Sequence, residues 1–153
     1  MIIPALPADF DTVRSITQTT VSQIYPHYYP QGAVDFFLRH HSDESIASDI
    51  GSGCVFLCTD ENGSPAGTVT VRKNEILRLF VLPEHQGKGL GRELLDFAEA
   101  LVSEQYDEMI IDASLSAKPI YLKRGYREAE YHTIPTGNGD FLCYDVMKKR
   151  STK

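Results

Sequence analysis

The chain lacks the features that mark several large protein classes. It has three cysteines, Cys54, Cys58 and Cys143, an odd number with no Cys-x-x-Cys spacing. That argues against a disulfide framework, and no carboxylate or cysteine joins the histidines at ligand spacing, so no metal site is expected. Cys54 and Cys58 lie an even number of positions apart in an apolar stretch, which suits two core thiols. No apolar run reaches membrane-spanning length, and the first residues lack the charged-then-apolar order of a signal peptide. The expectation is a reducing, cytoplasmic setting without a membrane partner. Positive charge is also scarce: 15 Lys and Arg face 21 Asp and Glu, a formal net charge of −6. Nucleic acid needs clustered basic side chains and is disfavoured; a cationic acceptor such as an amine is mildly favoured. The short basic run Lys148, Lys149, Arg150 and Lys153 reads as a solvated tail. No linker or low-complexity tract interrupts the 153 residues, so one domain over 1–153 is expected.

What the chain does have is a glycine-rich turn between an apolar strand and an amphipathic helix, at Leu82-Pro83-Glu84-His85-Gln86-Gly87-Lys88-Gly89-Leu90-Gly91. Such a turn gathers backbone N–H groups and the positive end of a helix dipole around one small volume suited to a phosphate. A P-loop would require Gly-Lys-Ser/Thr, which is absent. A dinucleotide fingerprint would require Gly-x-Gly-x-x-Gly, but counting from Gly87 places Arg92 third, and counting from Gly89 places Leu94 there. Asp112, at a suitable distance for a ribose-binding acid, keeps the dinucleotide reading open.

Gln86, Gly89 and Gly91 match the pyrophosphate loop Gln/Arg-x-x-Gly-x-Gly/Ala, and a second segment follows at 117–126: Ala117-Lys118-Pro119-Ile120-Tyr121-Leu122-Lys123-Arg124-Gly125-Tyr126. In these two motifs the chain resembles the GNAT family of N-acetyltransferases. It also resembles a small bacterial subgroup with Ala-Ser-x-x-Ala-x-Pro-Phe-Tyr/Phe, here Ala113-Ser114-Leu115-Ser116-Ala117-Lys118-Pro119-Ile120-Tyr121. The resemblance implies an α/β fold with a mixed, mostly antiparallel central sheet flanked by helices. It implies acetyl-CoA as the acyl-donor cosubstrate and an amine acceptor, and it admits a homodimer.

Periodicity gives the coarse elements. Strands are expected at 1–5, 53–59, 66–72, 75–82 and 109–113, with a terminal hairpin from 127–134 and 141–147. A first helix begins at Asp9 and ends at Tyr25-Pro26, and one helical region follows Pro30 and takes in Val34, Phe37, Leu38 and Ile46. The helix after Gly89 presents Leu90, Leu94, Phe97, Ala98, Leu101 and Val102 on one face. A short helix over 118–124 stops at Gly125. The resemblance implies that strands 75–82 and 109–113 part from one another.

Amide formation sets the chemistry. The amine attacks the thioester only when unprotonated, so a base or water must take its proton. The oxyanion needs a preorganised N–H, and the departing thiolate benefits from a hydrogen-bond donor. The resemblance implies main-chain contacts from Leu79, Phe80 and Val81 to the pantetheine arm and thioester, with the N–H of Leu79 or Val81 at the oxyanion. Gln86, Gly87, Lys88, Gly89, Leu90 and Gly91, with Arg92, would hold the pyrophosphate. Tyr121 matches the family's general acid. Glu75 matches the base of the histone-acetylating branch, Asp112 is a second candidate, and ordered water is an equal alternative. Ser114 stands where many relatives carry asparagine.

For the acceptor, the segment Tyr25-Pro26-His27-Tyr28-Tyr29-Pro30 offers aromatic surface, with Tyr25, Tyr28, Tyr29 and Ser114 as candidate contacts. His27 and His41 read either as pH-sensitive pocket groups or, as lone histidines more often are, as surface or capping residues. An N-acetyltransferase acting on a small-molecule amine is the leading expectation. A protein lysine or N-terminal acetyltransferase and a non-catalytic acyl-CoA sensor are the alternatives.

Overall fold

A computed structural model describes residues 1–151 and contains one seven-stranded sheet with helices on both faces. In chain order the elements are β1 (Ile2–Pro4), α1 (Phe10–Ile24), α2 (Gln31–His40), α3 (Asp43–Gly51), β2 (Val55–Thr59), β3 (Pro65–Arg72) and β4 (Glu75–Val81). They continue with α4 (Leu90–Ser103), β5 (Glu108–Ala113), α5 (Lys118–Lys123), β6 (Arg127–Pro135) and β7 (Phe141–Arg150). The strand order is β1-β2-β3-β4-β5-β7-β6. Every neighbouring pair is antiparallel except β4 and β5.

The expected single helical region after Pro30 is two helices. At His41 the backbone leaves helical geometry, and the Ser42 side chain then accepts from the Ser45 N–H at 3.2 Å and caps a new helix. Strand burial follows position in the sheet. In central β3, Ala66 through Val71 are all buried because helices cover both faces. β6 lies at the edge and is almost wholly exposed.

Two cores flank the sheet. Val13, Ile16 and Val21 of α1 and Ile46 of α3 pack with Val55, Leu57 and Phe80 on one face. Leu94, Leu95, Ala98 and Val102 of α4 pack with Val69, Val71, Ile76, Met109 and Ile111 on the other. The buried stripe of α4 is rotated from the sequence expectation: Leu95 and Glu99 are buried, while Phe97 and Leu101 are only half-buried. Glu99 is tolerated there because Lys149 donates to it at 2.6 Å and Arg124 at 2.8 Å. Lys149 is therefore a structural cation and not part of a solvated tail. Lys148 faces Glu108 at 3.8 Å, and Lys153 lies outside the described residues. Cys58 is a core thiol as expected, but Cys54 precedes β2 and is half-buried.

Packing is tight at Gly67, where an added Cβ would stand 2.9 Å from the Phe80 carbonyl oxygen and 3.0 Å from Leu94 Cδ1. Leu94 is fully buried at that contact. Leu94→Ala is expected to cost about 2–5 kcal/mol of stability through lost burial and a residual cavity, read as a lower urea midpoint with an unchanged m-value.

Candidate functional site

β4 and β5 pair through only two positions, Glu75 with Ile110 and Ile76 with Ile111. Beyond them the strands diverge, and two cavities open along the gap. One is an elongated cleft of about 830 Å³ between the end of β4, the start of α4, α1 and α5. The other is a chamber of about 170 Å³ between β4, β5, α2 and the β6–β7 hairpin. Tyr25, Leu79, Phe80, Ser114, Ala117 and Tyr121 border both, so the two cavities meet at these six residues.

The cleft has the chemistry of an anion site at one end. Gly87 (φ 78°) and Gly89 (φ 87°) turn the loop through left-handed conformations that side chains with a Cβ adopt only under strain. Gly89 starts the 14-residue α4 and gives it no side-chain cap, leaving first-turn N–H groups for a ligand. Gln86 borders the cleft, and its Nε2 donates back to the Val81 carbonyl at 3.0 Å and ties the loop to β4. Arg92, Lys123 and Arg124 add positive charge along the walls. Lys88, expected at the phosphates, is exposed and lies outside the lining, while Gly87, Gly89, Leu90 and Gly91 border it. The residues fit a long phosphorylated ligand in a further respect. Thr20 Oγ1 and His85 Nδ1, both buried and without hydrogen-bond partners, belong to residues that border the cleft.

At the meeting point, α5 carries Tyr121. Its ring is buried and lies against that of Tyr126, 5.7 Å between centroids. Burial, reinforced by Tyr25, pushes the Tyr121 pKa well above that of an ordinary tyrosine, so the hydroxyl stays protonated at any working pH. Burial does the same to Tyr25, opposed by a hydrogen bond with Ser114. The Ser114 hydroxyl lies 3.2 Å from that of Ser116. Tyr25 is therefore the acceptor-segment tyrosine that reaches both cavities; Tyr28 is exposed and borders the cleft alone. Tyr29 borders neither. It is a core residue whose hydroxyl accepts from the Leu115 N–H at 2.7 Å and fixes the loop after β5.

The profile of the acetyltransferase (GNAT) domain matches residues 24–140. The chain belongs to the GNAT family of acetyltransferases. An uncharacterized N-acetyltransferase of Chlorobaculum tepidum is 28% identical over 138 residues, 87% of this chain and 84% of that one. A GCN5-related N-acetyltransferase from Rhodopseudomonas palustris superposes with TM-score 0.88 at 24% identity, covering 98% of this chain and 94% of the other. The acetyltransferase yncA from Salmonella typhimurium, solved with acetyl-CoA, superposes with TM-score 0.73 at 19% identity, over 100% of this chain and 94% of the other. This chain is an acyltransferase, and the mixed sheet with flanking helices is the GNAT fold.

In this acetyltransferase the GNAT strand parting is accompanied by a β-bulge. Thr68 pairs with Phe80 and Thr70 with Leu77, so Arg78 and Leu79 together face Val69. Arg78 takes φ 48° at the bulge, an uncommon conformation for a side chain of its size. Its guanidinium is held by Asp49 at 3.0 Å, Thr70 at 3.0 Å and Ser45 at 3.2 Å. Asp49 also accepts from Arg72 at 2.6 Å. A lone arginine inside Ile76-Leu77-Arg78-Leu79-Phe80 is the signal in the sequence that could have marked this site.

The chamber's ionisable groups differ from the sequence expectation. His41 borders the chamber and is not a surface residue; burial, with Arg78 adding to it, pushes its pKa down to about 3, so the imidazole is neutral. His27 is exposed, as expected. Asp112 borders the chamber but is exposed along β5; partial desolvation of its carboxyl, and secondly the Glu75 carboxylate, raise its pKa. Glu75 is exposed and borders neither cavity. Phe36, Phe37, His40 and Tyr144 complete the chamber walls. Sequence reasoning missed Phe36 and Tyr144, whose positions against the chamber depend on how α2 and the terminal hairpin dock.

Asp49→Ala strands the buried Arg78 charge and is expected to destabilise the fold by about 3–5 kcal/mol, measured by urea denaturation. Asp112 carries the opposite sign. Its folded pKa lies above the unfolded value, so its contribution is favourable below the unfolded pKa and is lost as pH rises through the folded one. Asp112→Asn is expected to raise the urea midpoint near neutral pH and to leave it unchanged near pH ~3, where both states are protonated.

Proposed function

We propose that this acetyltransferase transfers the acetyl group of acetyl-CoA to a primary amine of a small molecule, by direct attack on the thioester. The observation that carries the reading is the shared border: six residues line both the cleft and the chamber, so a donor in one meets an acceptor in the other at a single point. Bound in the cleft, acetyl-CoA supplies an activated thioester carbonyl with a thiolate leaving group.

The chain's own residues divide the remaining work. First-turn amides of α4 and the loop from Gln86 to Gly91 would hold the pyrophosphate, with Arg92 as a counter-charge. Main-chain groups of Leu79, Phe80 and Val81 would align the pantetheine arm, and the N–H of Leu79 or Val81 would stabilise the oxyanion. The bulge supports this role because it takes β4 out of its regular ladder next to Leu79.

Asp112 is the candidate base. Its raised pKa brings it closer to that of the ammonium whose proton must leave, and it borders the chamber directly. Glu75 would act through Asp112, by charge repulsion, and not as a base in its own right. Water between Asp112 and the amine would complete the path. Tyr121 would donate a hydrogen bond to the departing sulfur. Its elevated pKa makes complete proton transfer unfavourable, so the hydroxyl serves as a fixed donor that stays protonated throughout.

Calorimetric titration is expected to show acetyl-CoA binding without comparable affinity for NADH or ATP. Tyr121→Phe is expected to keep that affinity while lowering kcat for amine-dependent thiol release by roughly ten- to a hundredfold. Unchanged turnover across the pH range would remove Tyr121 from the chemistry, and no acetyl-CoA binding would overturn the reading of the loop.

A further inference from the structure

Resting on that reading, we infer that the chamber selects a compact apolar or aromatic primary amine without an anionic group, and excludes amino acids, polyamines and peptide chains. Three observations converge on this class: the character of the walls, the small volume between them, and the disposition of charge.

The walls set rings among aliphatic side chains. Tyr25 meets Phe37 edge-on at 4.6 Å and Phe80 at 6.2 Å, and His41 meets Phe80 edge-on at 5.6 Å. Phe36 stacks on His40 at 6.0 Å beside them. These mutual contacts hold the rings in place, so the space between them is preformed and apolar. Its volume of about 170 Å³ is comparable to the ~150 Å³ apolar cavity that holds one benzene. One ring or a short branched chain fills it.

Charge is arranged against an anionic substrate. Arg78 borders the chamber, yet its terminal nitrogens are taken by Asp49, Thr70 and Ser45, and its remaining Nε is sealed from solvent. The Asp49 carboxylate on Nη1 already neutralises the charge that a substrate carboxylate would seek. His41 is neutral. Asp112 is the carboxylate in the chamber lining, with Glu75 and Glu130 acting on it from one side and His40 and His132 on the other. It lies two residues before Ser114, roughly 7 Å along the chain at strand spacing. An ammonium at the meeting point is therefore about one water away from it, with its organic body between the rings. A second ammonium on that body would be buried among them unpaired.

The β6–β7 hairpin docks on α2 beside the chamber. Asp140 accepts from the Gly32 N–H at 2.9 Å, at the start of α2. A Cβ at Gly32 would collide with the Gly137 carbonyl oxygen, so the contact is backbone to backbone. Ile134 and Leu142 of the same hairpin line the chamber opposite Phe36 and Phe37.

The test is steady-state thiol release at saturating acetyl-CoA with benzylamine, 2-phenylethylamine and isopentylamine against glycine, glutamate, spermidine and a lysine-containing peptide. Amine binding to the protein without acetyl-CoA is followed by calorimetry in parallel. The compact apolar amines are expected to exceed the others in kcat/KM by roughly tenfold or more, the discrimination an unpaired charge in an apolar pocket produces. Preferred turnover of an amino acid, the polyamine or the peptide would overturn the inference while leaving the acetyl-transfer reading intact. Acetyl-CoA binding with no turnover of the apolar amines would also overturn it, whereas failure to bind acetyl-CoA would overturn the underlying reading.

Discussion

The site depends on one pairing that stops early. β4 and β5 are parallel neighbours at the centre of the sheet, yet they share only two register positions before diverging. A fully zipped pair would bring Leu79 and Phe80 into a ladder and leave no gap for either cavity. The parting is held open from both sides. On β4, the bulge at Arg78 and Leu79 bends the strand, and the buried Arg78–Asp49 pair ties the bulge to α3. On β5, the following loop is pinned by the Tyr29 hydroxyl on the Leu115 amide. A left-handed arginine and a buried ion pair are costly in isolation, and here both lie beside the cavity they help to shape.

The same opening couples the two halves of the molecule. α4 presents its N-terminus to the cleft, and its buried Glu99 holds Arg124 and Lys149 on the other side of α5. Asp96, one turn earlier, holds Arg124 as well, at 2.7 Å. The helix that would bind phosphate therefore also anchors the end of the short helix carrying Tyr121. Six residues of α5 could not hold the Tyr121 hydroxyl in place through their own hydrogen bonds; the ion pairs to α4 and the packing of Tyr121 on Tyr126 supply that rigidity. The acceptor side is assembled differently, from the end of α2, the middle of β5 and the hairpin tip, which are distant in sequence and meet only through packing.

Local signals were read well because local physics produces them. The Gly87 and Gly89 turn, the α4 stripe around Leu94 and Ala98, and the stop at Gly125 depend on backbone freedom and helical period within a few residues. The strands appeared close to their expected limits, and the GNAT fold follows from motifs lying within single turns. The break at His41 and Ser42 was missed because Val34, Phe37 and Ile46 keep a helical spacing across it, although Ser42 is a good cap. Glu99 was missed because a charged residue on a helix reads as solvated until its partners, 25 and 50 residues away, are known.

The sequence by itself determined the family, the anion-binding turn and the identity of Tyr121 as a candidate donor, since each rests on contiguous residues whose spacing carries the chemistry. Tertiary structure decided which aromatics face an acceptor. Tyr25 borders both cavities, Tyr28 turns outward and Tyr29 enters the core, although all three occupy one short segment. It likewise set Asp112 at the chamber and Glu75 outside it, lowered the His41 pKa and docked the terminal hairpin on α2 through Asp140. Those outcomes depend on desolvation and on contacts between distant segments, and no periodicity along the chain encodes either.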